Sequence, residues 1–196
     1  MRRLYMVLFF CMSANVSFAI SDLDTLQNLD SSSFKAFSQD MTALASYKGV
    51  TPAEGLGIIG FDIGLVVTGT TLEHANFWQA AAGGSKFSGT LALPKIQVHK
   101  GLPFNFDLGA FVASTPGSNI RLIGGEIRYG IIGGNLAFPA VALRVSRTEL
   151  TGVDQLDFET TGLDVILSKG LLMLTPYAGL GKVWSNSDPK GAVAAV

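Results

Sequence analysis

Between residues 57 and 184 the chain alternates apolar residues with polar or small ones in seven separate runs. A period of two is the signature of a β-strand with unlike faces, because successive side chains point to opposite sides. The first run, "GIIGFDIGLVVTG", sets Ile59, Phe61, Ile63, Leu65 and Val67 against Gly60, Asp62, Gly64 and Thr68. In "LALPKIQVHK" and "LPFNFDLGAFVAS", Pro94, Ile96, Val98, Phe106, Leu108 and Val112 oppose Lys95, Gln97, His99, Asp107 and Gly109. In "IRLIGGEIRYGI" and "FPAVALRVSRT", Ile123, Ile127, Tyr129, Val141, Leu143 and Val145 oppose Glu126, Arg128, Arg144, Ser146 and Thr148. The last two, "TTGLDVILSK" and "LLMLTPYAGLGKVW", set Leu163, Val165, Leu167, Ala178 and Leu180 against Asp164, Ser168, Gly179 and Gly181. Each run is about ten residues long, the length with which a tilted strand crosses a bilayer.

Alternation does not say which face is wet. A soluble sandwich hides its apolar faces; a membrane barrel turns them outward to lipid and keeps polar residues in its lumen. Two features favour the barrel. The polar faces carry glycines and isolated charges of both signs, unlike the Lys/Thr/Glu coat of a solvated sheet. The chain is 48% hydrophobic and only 15% charged, with a mean hydropathy of +0.39, yet it has no internal apolar run of the roughly 20 residues a membrane helix needs. The expected fold is all-β, an antiparallel membrane β-barrel over 55–196 with about seven strands present. The alternative is a secreted β-sandwich. Connections are expected to alternate: long at 69–89, tight at Lys100-Gly101, longer at "TPGSN", short at Gly133-Gly134, longer at "ELTGVDQ", tight at "SKG". Short turns on one side and longer loops on the other belong to such barrels.

The N-terminus, "MRRLYMVLFFCMSANVSFA", has Arg2 and Arg3, an apolar core, and small residues Ser17 and Ala19 flanking Phe18. This is a secretory leader over 1–19, cut after Ala19. Cys11 lies inside it, so the mature chain has no thiol. Removing the two arginines leaves 12 basic and 15 acidic residues, which offers nucleic acid no basic stripe. Residues 20–54 lack strand alternation. Phe34, Phe37, Met41 and Leu44 recur at helical spacing after Ser31-Ser32-Ser33, so a short amphipathic helix is expected over 33–47, its stripe being packing surface.

On the stretches "GIIGFDIGLVVTGT", "LPKIQVHKGLPFNFDLGA", "SNIRLIGGEIRYGI" and "LTPYAGLGKVWSNSDPKG" the chain resembles a poorly characterised family of small bacterial outer-membrane β-barrel proteins, over about 55 to 190. The resemblance implies export to the outer membrane, with the lipid bilayer and the outer-membrane assembly machinery as partners. It implies no reaction. Such barrels close with an even number of strands; seven runs and the ending "SNSDPKGAVAAV" lead to the expectation that the last strands are missing.

The inward charges Asp62, Lys95, Asp107, Glu126, Arg128, Arg144 and Asp164 are expected to form a lumen network of ion pairs, or else a constriction selecting small solutes. Phe77, Trp78, Tyr129 and Trp184 are expected as interfacial aromatics. No catalytic motif, metal-ligand cluster or cofactor signature is present: His74 cannot be oriented by adjacent Glu73, and His99 lies beside a presumed periplasmic turn. The expected function is structural or passive transport, cargo unspecified, with a loop-borne surface binding protein as the alternative and no enzyme activity.

Overall fold

The computed structural model describes residues 22–49, 51–84, 89–135, 137–171 and 173–190. The leader expected over 1–19, with Cys11, lies outside these residues. Seven strands form one antiparallel sheet in chain order: β1 (Phe61–Thr71), β2 (Thr90–Gly101), β3 (Phe106–Ser114), β4 (Arg121–Gly133), β5 (Ala140–Thr151), β6 (Leu156–Ser168) and β7 (Tyr177–Pro189). Every neighbour pair is antiparallel. β1 and β7 are not paired with each other, so the sheet is open and both are edges. A bulge between Gly130 and Ile132 of β4 shifts the register near the lower end, where such an extra residue bends the strand.

Burial alternates along β3 and along β4 as far as Gly130, and the buried set is the one that carries the charges. Asp107, Glu126, Arg128, Arg144 and Thr148 are buried, while Leu65, Ile96, Val112, Ile127 and Val165 are exposed. The faces are thus inverted relative to a water-facing sheet, in which charged residues are almost never fully buried.

What buries the polar face is the N-terminal segment. A 3-10 turn (Leu26–Asn28) leads into α1 (Ser31–Ala45). The expected helix of 33–47 therefore begins and ends two residues earlier. Its N-cap is Asp30 and not the serine cluster, because the Asp30 carboxylate accepts from the Ser33 N–H at 2.7 Å. That bond holds the Asp30 carboxyl below its ordinary value. Phe37, Met41 and Leu44 are buried. From there the segment contacts the inner side of every strand. Lys48 Nζ donates to Thr70 on β1, and Tyr47 Oη meets His99 on β2. Leu56 N donates to Asp107 on β3 and Arg128 of β4 donates to Pro52. Arg144 of β5 donates to Tyr47, Ala53 N donates to Ser168 on β6, and Ser38 bonds Ser187 on β7. One short segment can touch seven consecutive strands only if the sheet curls around it.

The connections depart from the expected alternation. Those at the lower end run over 102–105, 134–139 and 169–176, and those at the upper end over 72–89, 115–120 and 152–155. Only the first upper connection is long. β5 and β6 carry their ladder through Glu149 and Glu159, so the first three residues of "ELTGVDQ" are strand and the connection is only 152–155. Loop length therefore does not distinguish the two ends.

The 72–89 connection carries α2 (Ala75–Ala81), which folds inward. Asp40 of α1 accepts from the backbone N–H groups of Glu73 and His74 and sits 3.2 Å from His74 Nδ1. This pins α2 over the upper end. Trp78 is fully buried, its ring 4.6 Å from that of Phe37. The interfacial role expected for Trp78 is thereby corrected: helical spacing turns it onto Phe37, Leu72 and Leu91. Phe77 is half-buried against the same cluster and stacks on His74, with ring centroids 6.0 Å apart. Trp78→Ala is expected to cost about 3–5 kcal/mol in a urea unfolding titration, the range for emptying a large aromatic site. A loss under 1 kcal/mol would return Trp78 to the surface.

Candidate functional site

Several inward side chains of the wall are given room by a glycine on a neighbouring strand. His99 pairs with Gly109, and Gly109 with Glu126. Phe111 pairs with Gly124, Ser146 with Gly162, and Asp164 with Gly181. A Cβ at Gly109 would strike both the His99 ring and the Glu126 stem, and one at Gly124 would strike the Phe111 ring. Direct cross-strand neighbours sit about 5 Å apart, so a full side chain at either position would close the space the polar group occupies.

The seven inward charges lie on this wall, and six of them divide into two groups. Near the lower end, Arg128 donates Nε and Nη2 to Asp107 Oδ2 at 3.1 and 2.8 Å. Its Nη1 donates to Thr51 Oγ1 at 2.7 Å and to the Pro52 carbonyl at 2.6 Å. Asp107 Oδ1 accepts from Leu56 N. The pair is buried, Arg128 and Asp107 each being 1% exposed, and it binds the main chain of 51–56.

The second group crosses the wall as a chain of carboxylates alternating with basic side chains. Asp62 on β1 lies 3.6 Å from His99 Nδ1. His99 Nε2 lies 3.2 Å from Glu126 Oε1. Glu126 Oε2 lies 3.6 Å from Arg144 Nη1, and Arg144 Nη2 donates to Asp164 Oδ2 at 2.9 Å. Lys95 joins neither group. Its Nζ donates to the Lys48 carbonyl at 2.7 Å and lies over the Phe111 and Tyr47 rings at 5.2 and 5.5 Å, within cation–π range.

Tyr47 stands where these groups meet. Its ring is edge-on to Phe111 at 5.0 Å and 5.3 Å from the Arg144 guanidinium carbon. Burial pushes its phenol above the ordinary value, so it remains a neutral hydroxyl. Gly49 lies beside it, and the Arg144 guanidinium occupies the space a Cβ there would take. Sequence reasoning missed Tyr47, since it lies outside both the helical stripe and the strands. It also set His99 aside, although His99 shares the inward parity of Lys95 and Gln97, which was the available signal.

The wall side chains thus grip 45–56 mainly through its main chain. Carbonyls of Ala45, Tyr47, Lys48 and Pro52 accept from Thr160, Arg144, Lys95 and Arg128. Among the described residues this arrangement fills the wall's polar face with the protein's own backbone.

The outer face carries a band of apolar side chains whose upper edge runs obliquely across the sheet. One hydrogen-bonded row reads Leu65, Ile96, Val112, Ile123, Glu149, Glu159 and Asn186: apolar on β1–β4, polar on β5–β7. The uppermost aliphatic residues are Val67 on β1, Val112 on β3, Ile123 on β4, Val145 on β5, Leu163 on β6 and Leu180 on β7. From Val67 to Leu180 the edge drops eight residues over six strand-to-strand steps. At ~3.3 Å per residue and ~4.8 Å per strand this is a slope of about 40°. Above the edge, Arg147 pairs with Glu149 and Glu159, and Lys190 with Asp157. At the lower end the band runs into the connections through Leu102, Phe138 and Met173, all exposed. Tyr129 lies there, its ring 4.9 Å from Phe106. Trp184 lies on β7 four residues above the band's upper edge, with Lys182 Nζ 5.3 Å from its ring centre.

Comparison with family models, with curated protein sequences and with solved structures finds no match to this chain.

Proposed function

We propose that this chain is a membrane-embedded β-barrel protein of the bacterial outer membrane, with a structural role and an interior filled by its own N-terminal segment. The oblique apolar band carries the reading. Strands of outer-membrane barrels tilt by about 35–45° from the membrane normal. A bilayer boundary, level in the membrane, must then cut across hydrogen-bonded rows at that angle. A band sloping by about 40° is what lipid contact requires. A sandwich in water has no cause to slope it, and its apolar side chains would face a second sheet.

The packed interior weighs the role toward scaffold over passive transport. The ion pairs hold the segment in place, and the cluster around Trp78 and Phe37 caps the upper end. The route to the membrane is the leader over 1–19, and insertion calls for the outer-membrane assembly machinery.

Expressed with its leader in a bacterium with two membranes, the protein is expected in the outer-membrane fraction, resistant to alkaline carbonate. Cysteine at Ile63, Phe106 or Leu143 is expected to resist water-soluble thiol reagents in membranes and to label from the lipid. Recovery in the soluble periplasm, with fast aqueous labelling at Phe106, would replace the barrel by the sandwich.

A further inference from the structure

We propose that the outer face around β4 binds one anionic phospholipid, with Arg121 holding the phosphate and a trough at Gly125 seating an acyl chain. The inference rests on the membrane reading and gives one lipid a fixed place on the band. Arg121 is the first residue of β4, exposed on the outer face. It stands two residues above Ile123, the uppermost aliphatic residue of that strand. At that height headgroups meet hydrocarbon, and an arginine lays its stem on apolar surface while its charge reaches the headgroups. Ser114 of β3 and Thr151 of β5 flank it on the same hydrogen-bonded row, a hydroxyl on either side.

Arg121 keeps its charge available. Among the described residues no carboxylate lies within ion-pair distance of it, whereas Arg147 is held by Glu149 and Glu159, and Lys190 by Asp157. At the lower end Lys100 donates to the carbonyls of Ile58, Gly60 and Gly101, and Lys169 to that of Asn135. A guanidinium without a carboxylate offers a planar fork that matches two phosphate oxygens. At the edge of the band, the anion within its reach is the phosphate of a lipid.

Gly125 lies four residues below Arg121 on the same face, with Ala110 and Arg147 as its row neighbours. Nothing on that side crowds it. A Cβ there would meet only the Gly109 carbonyl oxygen, at an ordinary 3.6 Å, whereas one at Gly124 would strike the Phe111 ring. The missing side chain opens a trough of about 390 Å³ in the band, bordered by Leu108, Ile127, Val145, Thr161 and Arg147. At ~3.3 Å per residue it lies about 13 Å below Arg121, a step that a glycerol backbone and the first carbons of an acyl chain cover. A phosphate site above an apolar seat, both on one strand, fits one phospholipid with its head at the upper boundary. A free phosphate would use Arg121 and leave the trough unfilled.

The test takes the full chain in detergent micelles and counts bound lipid by native mass spectrometry. The probes are phosphatidylglycerol and phosphatidylcholine of equal chain length. One phosphatidylglycerol is expected to bind about fivefold more tightly than phosphatidylcholine, the preference one cation gives at an anionic surface. Arg121→Gln should bring phosphatidylglycerol down to the phosphatidylcholine level. Gly125→Leu fills the trough and should weaken both lipids; unchanged affinity in that folded variant would overturn the acyl seat. Lys182→Gln removes another cation above the band, one that lies over Trp184 and away from the trough, and should leave the preference intact. An equal loss there would show diffuse surface charge and overturn the site, as would a wild-type chain without preference. Release of the lipid by millimolar inorganic phosphate would reduce Arg121 to a bare anion site and overturn it too. Arg121 is exposed, so Arg121→Gln keeps the fold and decides the case if Gly125→Leu does not fold. Insertion into pure phosphatidylcholine vesicles separates the two readings. A chain that inserts but shows no preference loses this inference alone, and one that does not insert loses the membrane reading with it.

Discussion

Arginine at Ile96 is expected to destabilise the folded protein in lipid by roughly 2–4 kcal/mol, the cost of a cation in the bilayer interior. Arginine at Asn186, on the same hydrogen-bonded row, is expected to change stability by less than about 0.5 kcal/mol, as an ordinary surface substitution. Ile96 is 57% exposed, so a sheet standing in water would accept the charge. Both positions point outward and both lie on strands near an edge of the sheet. They differ in their place relative to the oblique band: Ile96 lies within it and Asn186 above it. Val165→Arg supplies the mirror case. It lies in a lower row, inside the band where the band has descended to β6, and should cost as much as Ile96→Arg. Urea unfolding in lipid vesicles reads all three. Equal costs at Ile96 and Asn186 would remove the slope, and a negligible cost at both Ile96 and Val165 would remove the lipid.

The period of two made the strands and their faces legible. Alternation survives because each side chain sees one environment throughout the strand, so Asp107, Glu126 and Arg128 could be set against Leu108, Ile127 and Tyr129 without coordinates. What filled the inner face was not legible. Phe37, Met41 and Leu44 give the same helical stripe whether it packs on a neighbouring domain or inside a curled sheet, because periodicity records that a face is apolar and not what meets it. The third upper connection was misjudged because Glu149 looks like a loop residue. It is a strand residue above the apolar band, where water meets the outer face. Trp78 failed for a related reason: an aromatic in a connection is anchor or core according to how the connection folds, and the Asp40 bonds to Glu73 and His74 that decide it span more than 30 residues of sequence.

Asp107→Leu is expected to cost about 3–5 kcal/mol, the usual penalty for stripping one partner from a buried ion pair. The reason is the company Arg128 keeps. With Asp107 gone, a guanidinium 1% exposed retains only the neutral Thr51 hydroxyl and Pro52 carbonyl, which solvate a cation poorly compared with water. Arg128→Met strands the Asp107 carboxylate with the Leu56 N–H and should cost a similar amount. It also removes both donors that hold 51–52, so it should expose that stretch to protease, which Asp107→Leu should do less. The double variant discriminates between a pair that stabilises the fold and one that merely fits it. Replacing both partners by apolar groups removes the desolvation cost together with the attraction. The double variant is therefore expected to lose clearly less than the two single losses combined, with a coupling of about 2–3 kcal/mol. Its proteolysis at 51–56 should nevertheless match that of Arg128→Met, because the grip on the backbone is gone in both. Additive losses in a double-mutant cycle, or a protease pattern that follows stability instead of Arg128, would show that the wall does not hold the N-terminal segment through this residue.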